Sequence, residues 1–388
     1  MKSACPRRIK ILFILNSCGT GGAEIQVVNL LNGLAPERFD VFLVYLRDEK
    51  EVLSRLSRNH VRAEPVCLFE KSSFDLVAFR RFSRLLRSEK FDIAVCTNMH
   101  PLIYAWLARF IWGANFKIVE VFHSTSLRGI KSKLKMVAFY PICWCTDTLI
   151  YVCKNQLAFW QKRFLFARRS LVIYNGVDPA QFVNDFASDE LELFRRRHGF
   201  EADDYIVGIC AYLRPEKFHR DLLAAISLAR AAGSNVRCLI IGDGPERQNI
   251  ESSINELNLV GHVRITGLLS DVRLALASTD VITITSHFIE TFSISALEAM
   301  SLGKPLIMTE IGGAAEQITH GINGYLYQPG DISALAVHIQ TLAAKECRMR
   351  MGRAGREMVK GNFSLGRMVE QYSAFFQSLP IDGEVTSG

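Results

Sequence analysis

The sequence predicts an α/β protein built from two doubly wound parallel sheets, and three observations carry that prediction. Short runs rich in Ile, Val, Leu and Phe alternate with longer amphipathic stretches from one end of the chain to the other. The alternation stops at Asn175-Gly176-Val177-Asp178-Pro179, a turn signal, stays polar and acidic to Asp204, and then resumes. The length of 388 residues suits two domains at ~100–200 residues each.

The first set of strands is predicted at 10–15, 40–46, 92–97, 117–122, 148–152 and 171–174, with amphipathic helices such as 23–34 and 101–112 between them. The second set is predicted at 205–213, 236–241, 263–266, 281–285, 305–308 and 325–327. Near-continuous apolar strands separated by helices imply sheets covered on both faces. The chain therefore divides into an N-terminal domain, 1–176, a C-terminal domain, 177–364, and a last helix with a tail, 365–388, expected to return to the N-terminal domain. Ligands of such sheets lie beyond the carboxyl ends of the strands. Two facing domains would put the site in the cleft between them.

Composition removes several classes. Hydrophobic residues at 49% and charged residues at 22% describe a packed globular chain. Only 26 Gly and 11 Pro, and no internal repeat, exclude collagenous and solenoid architectures. The longest apolar stretch, 136–153, is broken by Pro141 and Asp147, whereas a membrane span needs about 20 apolar residues. Arg7, Arg8 and Lys10 lead into an apolar run that stops at Asn16, too short for a secretory leader. The expected location is the cytoplasm, at or near the inner face of the membrane. Ten cysteines without a CxxC pair fit reduced thiols, and Cys143 and Cys145 have no second pair to complete a zinc site. Charge is lopsided: residues 1–180 hold 27 Lys and Arg against 14 Asp and Glu, the remainder 19 against 25. The basic half is expected to meet an anionic partner.

Two motifs carry chemistry. After the first strand, Ser17-Cys18-Gly19-Thr20-Gly21-Gly22 opens into a helix. Glycines there let backbone N–H groups approach a ligand, and a helix N-terminus favours an anion. The run fits neither a dinucleotide fingerprint nor a P-loop, and a plain tight turn explains it equally well. The second motif is Glu290 to Glu298 with seven residues between, after a buried strand and before a helix stop at Gly303 and Pro305. Eight helical residues would separate the carboxylates by about 12 Å, too far for a glycosidase pair at roughly 5–9.5 Å. Ser295-Ala296-Leu297-Glu298 also matches a helix capping box.

Taken together the motifs resemble the retaining GT-B glycosyltransferases of family 4, which carry E-x7-E at this point. The resemblance spans nearly the whole chain: Gly21-Gly22-Ala23-Glu24, His123, Asn175-Gly176-Val177-Asp178, Leu213-Arg214-Pro215-Glu216-Lys217, Gly242-Asp243-Gly244-Pro245, Thr266-Gly267-Leu268, Gly312-Gly313 and Asn323-Gly324-Tyr325. It implies two Rossmann-like domains and a nucleoside-diphosphate sugar as donor. Glu290 would hold donor-sugar hydroxyls and Glu298 the ribose. Backbone around Phe292, Ser293, Ile294 and Ser295 would hold the diphosphate. Lys217 and Arg214 would offset charge on the leaving group. Gly267 and Leu268 would meet the base, and Gly21 and Gly22 would contribute from the N-terminal side. His123 would approach the donor sugar. No DxD is present, so the diphosphate is expected to be held without metal.

Two departures stand out. Relatives often carry Arg five residues before the lysine, where this chain has Tyr212, and Gly after it, where this chain has Phe218. Arg214, two residues from Tyr212, shares its face in an extended strand.

The expected acceptor is a glycan or lipid-linked glycan, as in surface polysaccharide assembly. Three basic stretches interleaved with aromatics, around Arg80–Arg87, Lys131–Lys135 and Phe159–Arg169, are read as contacts with an anionic bilayer, with the acceptor side towards lipid. A core-facing helix with a solvated basic side is the competing explanation for the first stretch. No nucleic-acid-binding module is present. A nucleotide-sugar epimerase and a silent nucleotide-sugar-binding scaffold are the rival functions.

Overall fold

The computed structural model describes residues 7–71, 74–123 and 129–381, with side chains of the last segment described from Met136 onwards. The chain divides into two compact units, Met1–Asn175 with Leu365–Gly388, and Gly176–Ser364.

The first unit is built on seven parallel strands: β1 (Ile9–Leu15), β2 (Phe39–Tyr45), β3 (Val66–Cys67), β4 (Ile93–Thr97), β5 (Lys117–Phe122), β6 (Thr148–Tyr151) and β7 (Arg169–Val172). Their order is β3-β2-β1-β4-β5-β6-β7. β1 reads IKILFIL because both its faces are covered: Ile11, Phe13 and Leu15 enter one core, Leu12 and Ile14 the other. The first core lies beneath the helix Gly22–Gly33 and the last helix, Leu365–Gln377. Phe376 of that last helix meets Phe13 and Phe39 edge-on, with ring centroids 6.2 and 6.1 Å away. The second core lies beneath Leu76–Ser88, Met99–Trp112 and Lys154–Gln161.

The second unit holds six parallel strands: β8 (Tyr205–Cys210), β9 (Val236–Ile241), β10 (Val263–Ile265), β11 (Val281–Ile284), β12 (Leu306–Thr309) and β13 (Gly324–Tyr327), in the order β10-β9-β8-β11-β12-β13. Both sheets are thus doubly wound, each with one strand pair where the order reverses: β1/β4 in the first unit and β8/β11 in the second. A crevice for ligands opens beyond the carboxyl ends at such a pair.

The structure departs from the sequence reading at β3, β7 and β8, β7 beginning and ending two residues earlier than predicted. β3 has only two residues, too few to leave a hydrophobic run. β8 stops at Cys210 rather than 213, because the backbone of Leu213 bonds the loop after β9 instead: its N–H donates to the Asp243 carbonyl at 3.0 Å, and its own carbonyl accepts from Glu246 N–H at 3.0 Å. Gly242 permits that approach. It sits at φ 139°, and a Cβ there would overlap the Ala211 carbonyl oxygen. No helix among the described residues is long and apolar enough to cross a membrane. The 136–153 stretch instead forms the end of the helix Gly129–Trp144 and then β6.

Candidate active site

In the second unit, the segments leaving β8 and β11 flank the point where the strand order reverses. After β8 the chain stays extended, with Leu213 buried and Tyr212 and Arg214 exposed. The Arg214 guanidinium lies 4.8 Å from the Tyr212 ring centroid, so the arginine reaches the side where the tyrosine stands. A 3₁₀ turn, Pro215–Lys217, follows. The Lys217 carbonyl accepts from Thr285 Oγ1 at 2.6 Å. Its Nζ donates to Glu290 Oε2 at 2.7 Å, and Ser286 Oγ donates to the same oxygen at 3.1 Å. Two residues 73 positions apart thus meet as a half-buried ion pair.

Glu290 precedes the helix Ile294–Ser301, so the helical spacing argued from the sequence does not extend back to it. Gly312 braces this loop. At φ 55° a Cβ there would overlap the Glu290 carbonyl oxygen, and the next residue, Gly313, donates its N–H to the Thr291 carbonyl at 2.8 Å. Ser293 is the N-cap, its hydroxyl accepting from Ala296 N–H at 3.3 Å. The capping box that Ser295 and Glu298 match in sequence, the competing explanation for Glu298, is therefore not formed, because the box pairs the cap with the third helical residue, here Ala296. Glu298 stands half-buried on the second turn, and its charge adds to burial in pushing the Cys210 thiol up.

Within the expected diphosphate cradle, the Ser293 backbone is engaged inside the protein. Ser293 N–H donates to Gln317 Oε1 at 3.2 Å, and Gln317 Nε2 returns a bond to the Ser293 carbonyl at 2.8 Å. Phe292 is buried, its ring edge-on to Phe363 at 5.3 Å. Ile294 and Ser295, the first two helical residues, lie before the intrahelical ladder begins. Beyond β10, Gly267 takes φ 76° and bridges to Gly242, leaving Leu268 74% exposed.

Sequence reasoning missed the groups around this pair. Phe218 takes a left-handed conformation, φ 48° and ψ 48°. His287 stacks on it, and Asp221 Oδ2 lies 2.5 Å from His287 Nε2. His219 is buried, and its pKa is lowered to about 4 by desolvation and then by the Lys217 charge. Only the Phe218-His219 departure gave a signal; His287 and Asp221 gave none.

In the first unit, Gly21 is the N-cap of the helix Gly22–Gly33, and burial raises the pKa of Glu24 in its first turn. His123 follows β5, and its N–H donates to Asn98 Oδ1 at 3.2 Å. Asn98, at φ 66°, starts the helix after β4. Desolvation lowers the His123 pKa to about 4, which keeps the ring neutral. Gly21, Gly22 and His123 thus lie beyond the carboxyl ends of β1 and β5. Unforeseen there is a buried carboxylate, Glu70, that accepts from Tyr104 Oη at 2.7 Å. His100 Nε2 lies 3.2 Å and Arg47 Nε 3.6 Å from that carboxylate.

The basic stretches differ from one another. Leu76–Ser88 buries Phe79 and Phe82, and Arg87 stacks 3.9 Å from the centroid of Trp112, so this helix faces the core. Lys131, Lys133 and Lys135 lie outside the described side chains. In the third stretch Trp160 and Leu165 are buried, while Phe164 and Phe166 are exposed beside Lys162, Arg163 and Arg168. These residues precede β7 and therefore stand at the amino end of the sheet, not at the expected acceptor side.

Each unit is a doubly wound parallel sheet of the Rossmann-like type, and the second carries a cation, a carboxylate and a helix N-terminus at its switch point. The family model for glycosyltransferase family 4 matches residues 20–181, and that for glycosyl transferases group 1 matches residues 191–358. N-acetyl-alpha-D-glucosaminyl L-malate synthase of Bacillus anthracis is 26% identical over 321 residues, covering 82% of this chain and 83% of the relative. The capsular polysaccharide biosynthesis glycosyltransferase CapM of Staphylococcus aureus is 25% identical over 201 residues, covering 51% and 53%. The crystal structure of HepE from Anabaena with UDP-glucose superposes with a TM-score of 0.83 at 22% identity, covering 96% of this chain and all of that one. The chain belongs to glycosyltransferase family 4, with the GT-B type of fold, and is a glycosyltransferase.

Proposed function

We propose that this glycosyltransferase moves a sugar, with retention of configuration, from a UDP-hexose-type donor to a glycan or lipid-linked acceptor of surface polysaccharide assembly. The observation that carries the reading is the Lys217–Glu290 pair at 2.7 Å beside the Ile294–Ser301 helix start. A diphosphate leaving group gains charge as its bond to the sugar breaks. Lys217, Arg214 and the N–H groups of Ile294 and Ser295 supply positive potential where that charge grows, so no metal is required. Glu290 then exchanges its lysine contact for sugar hydroxyls, Glu298 takes the ribose, and Gly267 with Leu268 takes the base. His123, neutral at physiological pH, is suited to a hydrogen bond with the sugar rather than to charge neutralisation. Family resemblance supports retention, with a donor phosphate oxygen assisting deprotonation of the acceptor hydroxyl.

UDP as the carrier is supported by HepE, which binds UDP-glucose, and a polysaccharide acceptor by CapM, named for capsular polysaccharide biosynthesis. The location is read as cytoplasmic, with peripheral contact to anionic lipid through the Phe164–Arg168 segment.

Donor affinity in Glu298→Ala and Glu298→Gln tests the site. Alanine is expected to weaken donor binding by about 1–3 kcal/mol, and glutamine by less. Unchanged donor affinity in both variants removes Glu298 from the site.

A further inference from the structure

We infer that Phe218, His287 and Asp221 form a brace holding Lys217 against Glu290, which makes Phe218 and His287 positioning residues for transfer. The inference rests on the reading of Lys217 and Glu290 as the donor site, and it adds a control that site reading lacks.

The starting observation is strain. Phe218 joins the 3₁₀ turn Pro215–Lys217 to the helix His219–Ala231 in a left-handed conformation, φ 48° and ψ 48°. A bulky residue there is a genuine outlier, and such strain persists where the surroundings impose it, often at functional sites. Glycine would take this conformation without cost. The ring therefore has a use that outweighs the backbone it strains.

That use is visible in the contacts. The Phe218 ring lies face to face with the His287 imidazole, centroids 3.6 Å apart and planes 8° from parallel. His287 is fixed from its other side by Asp221, whose Oδ2 lies 2.5 Å from Nε2. Asp221 belongs to the first turn of the helix that Phe218 opens. His287 belongs to the loop of Glu290 and follows Ser286, whose hydroxyl bonds the Glu290 carboxylate. The circuit closes. Lys217 leads to Phe218, Phe218 to His287 on the carboxylate's loop, and His287 through Asp221 back to the helix. Thr285 Oγ1 to the Lys217 carbonyl, 2.6 Å, adds a second tie across the same gap. Lysine is a flexible point charge on a long stem, and its value to a leaving group depends on being held in place before the reaction.

The test compares full-length wild type, Lys217→Ala, Phe218→Gly, Phe218→Tyr and His287→Ala, reading UDP release from a panel of UDP-hexoses, with water taking the sugar, and UDP affinity by calorimetry. Phe218→Gly relieves the backbone and removes the ring. Its fold should be retained, its turnover should fall on the order of tenfold or more, and its KM should stay within about twofold. Phe218→Tyr, which keeps the stack, should restore most of the rate. His287→Ala leaves the Phe218 backbone untouched and carries the same expectation, which keeps the test decisive if the glycine variant fails to fold. Wild-type turnover in Phe218→Gly and His287→Ala, with Lys217→Ala slowed, overturns the brace alone. Wild-type turnover in Lys217→Ala, or no UDP release from the unmodified protein, overturns the donor site and the brace with it.

Discussion

Lys217 is held at both ends, its carbonyl by Thr285 and its ammonium by Glu290, and that restraint suits it to a charge that appears only in the transition state. Lys217→Ala is therefore expected to lower turnover more than donor affinity; steady-state kinetics beside calorimetry checks this, and equal losses would make the contact a ground-state one. His219, next but one to it, makes a pH prediction. Its folded pKa of about 4 lies below the ordinary 6.5, so between those values the unfolded chain holds more protons and stability rises with pH. Thermal midpoints should drop as pH falls from about 6.5 towards 4, and His219→Gln should flatten that drop. An unchanged slope would assign the acid loss to other groups. Lys217, Arg214, Glu290 and Glu298 were legible in the sequence because their types and order match a family pattern. Asp221 and His287 were not. They stand 66 residues apart, and only the adjacency of β8 and β11 brings them together.

At the scale of elements, the apolar strand runs were readable because a strand buried on both faces has little choice of residue. The two-residue β3 left no such mark, and β8 lost its last predicted residues to bonds with the loop after β9. The sequence left the helix start open between Ser293 and Ser295 because both are good caps, and the Gln317 amide that ties down the Ser293 backbone is a tertiary contact. One strand residue contradicts its element. Glu120 in β5 is fully buried, neither carboxylate oxygen accepts a hydrogen bond among the described residues, and burial pushes its pKa well up. The folded chain keeps this proton while the unfolded chain loses it above about 4.5, so the group costs stability as pH rises. Glu120→Leu is expected to stabilise the protein at pH 7 by about 1–3 kcal/mol, read from chemical denaturation. Destabilisation would mean that the carboxyl has a partner in solution.

Across the whole molecule, charge separates the two halves: residues 1–180 carry 27 basic and 14 acidic side chains, the rest 19 and 25. The first half holds the exposed Phe164 and Phe166 beside Lys162, Arg163 and Arg168. Each basic residue near an anionic bilayer contributes about 1 kcal/mol, screened over ~8 Å at physiological salt. Binding to anionic liposomes should therefore fade as salt rises and weaken in a Lys162→Gln, Arg163→Gln, Arg168→Gln variant. Failure to bind anionic liposomes at low salt would contradict the membrane contact and reassign the basic surface to a soluble acidic partner. In the proposed function, the second unit activates a nucleoside-diphosphate sugar through Lys217 and Glu290. Its most direct test is nucleoside-diphosphate release from a panel of UDP- and GDP-sugars, with Lys217→Ala alongside. Release from a UDP-hexose, and its near loss in the variant, are expected. Release from no donor, or equal release from the variant, would contradict the proposed function.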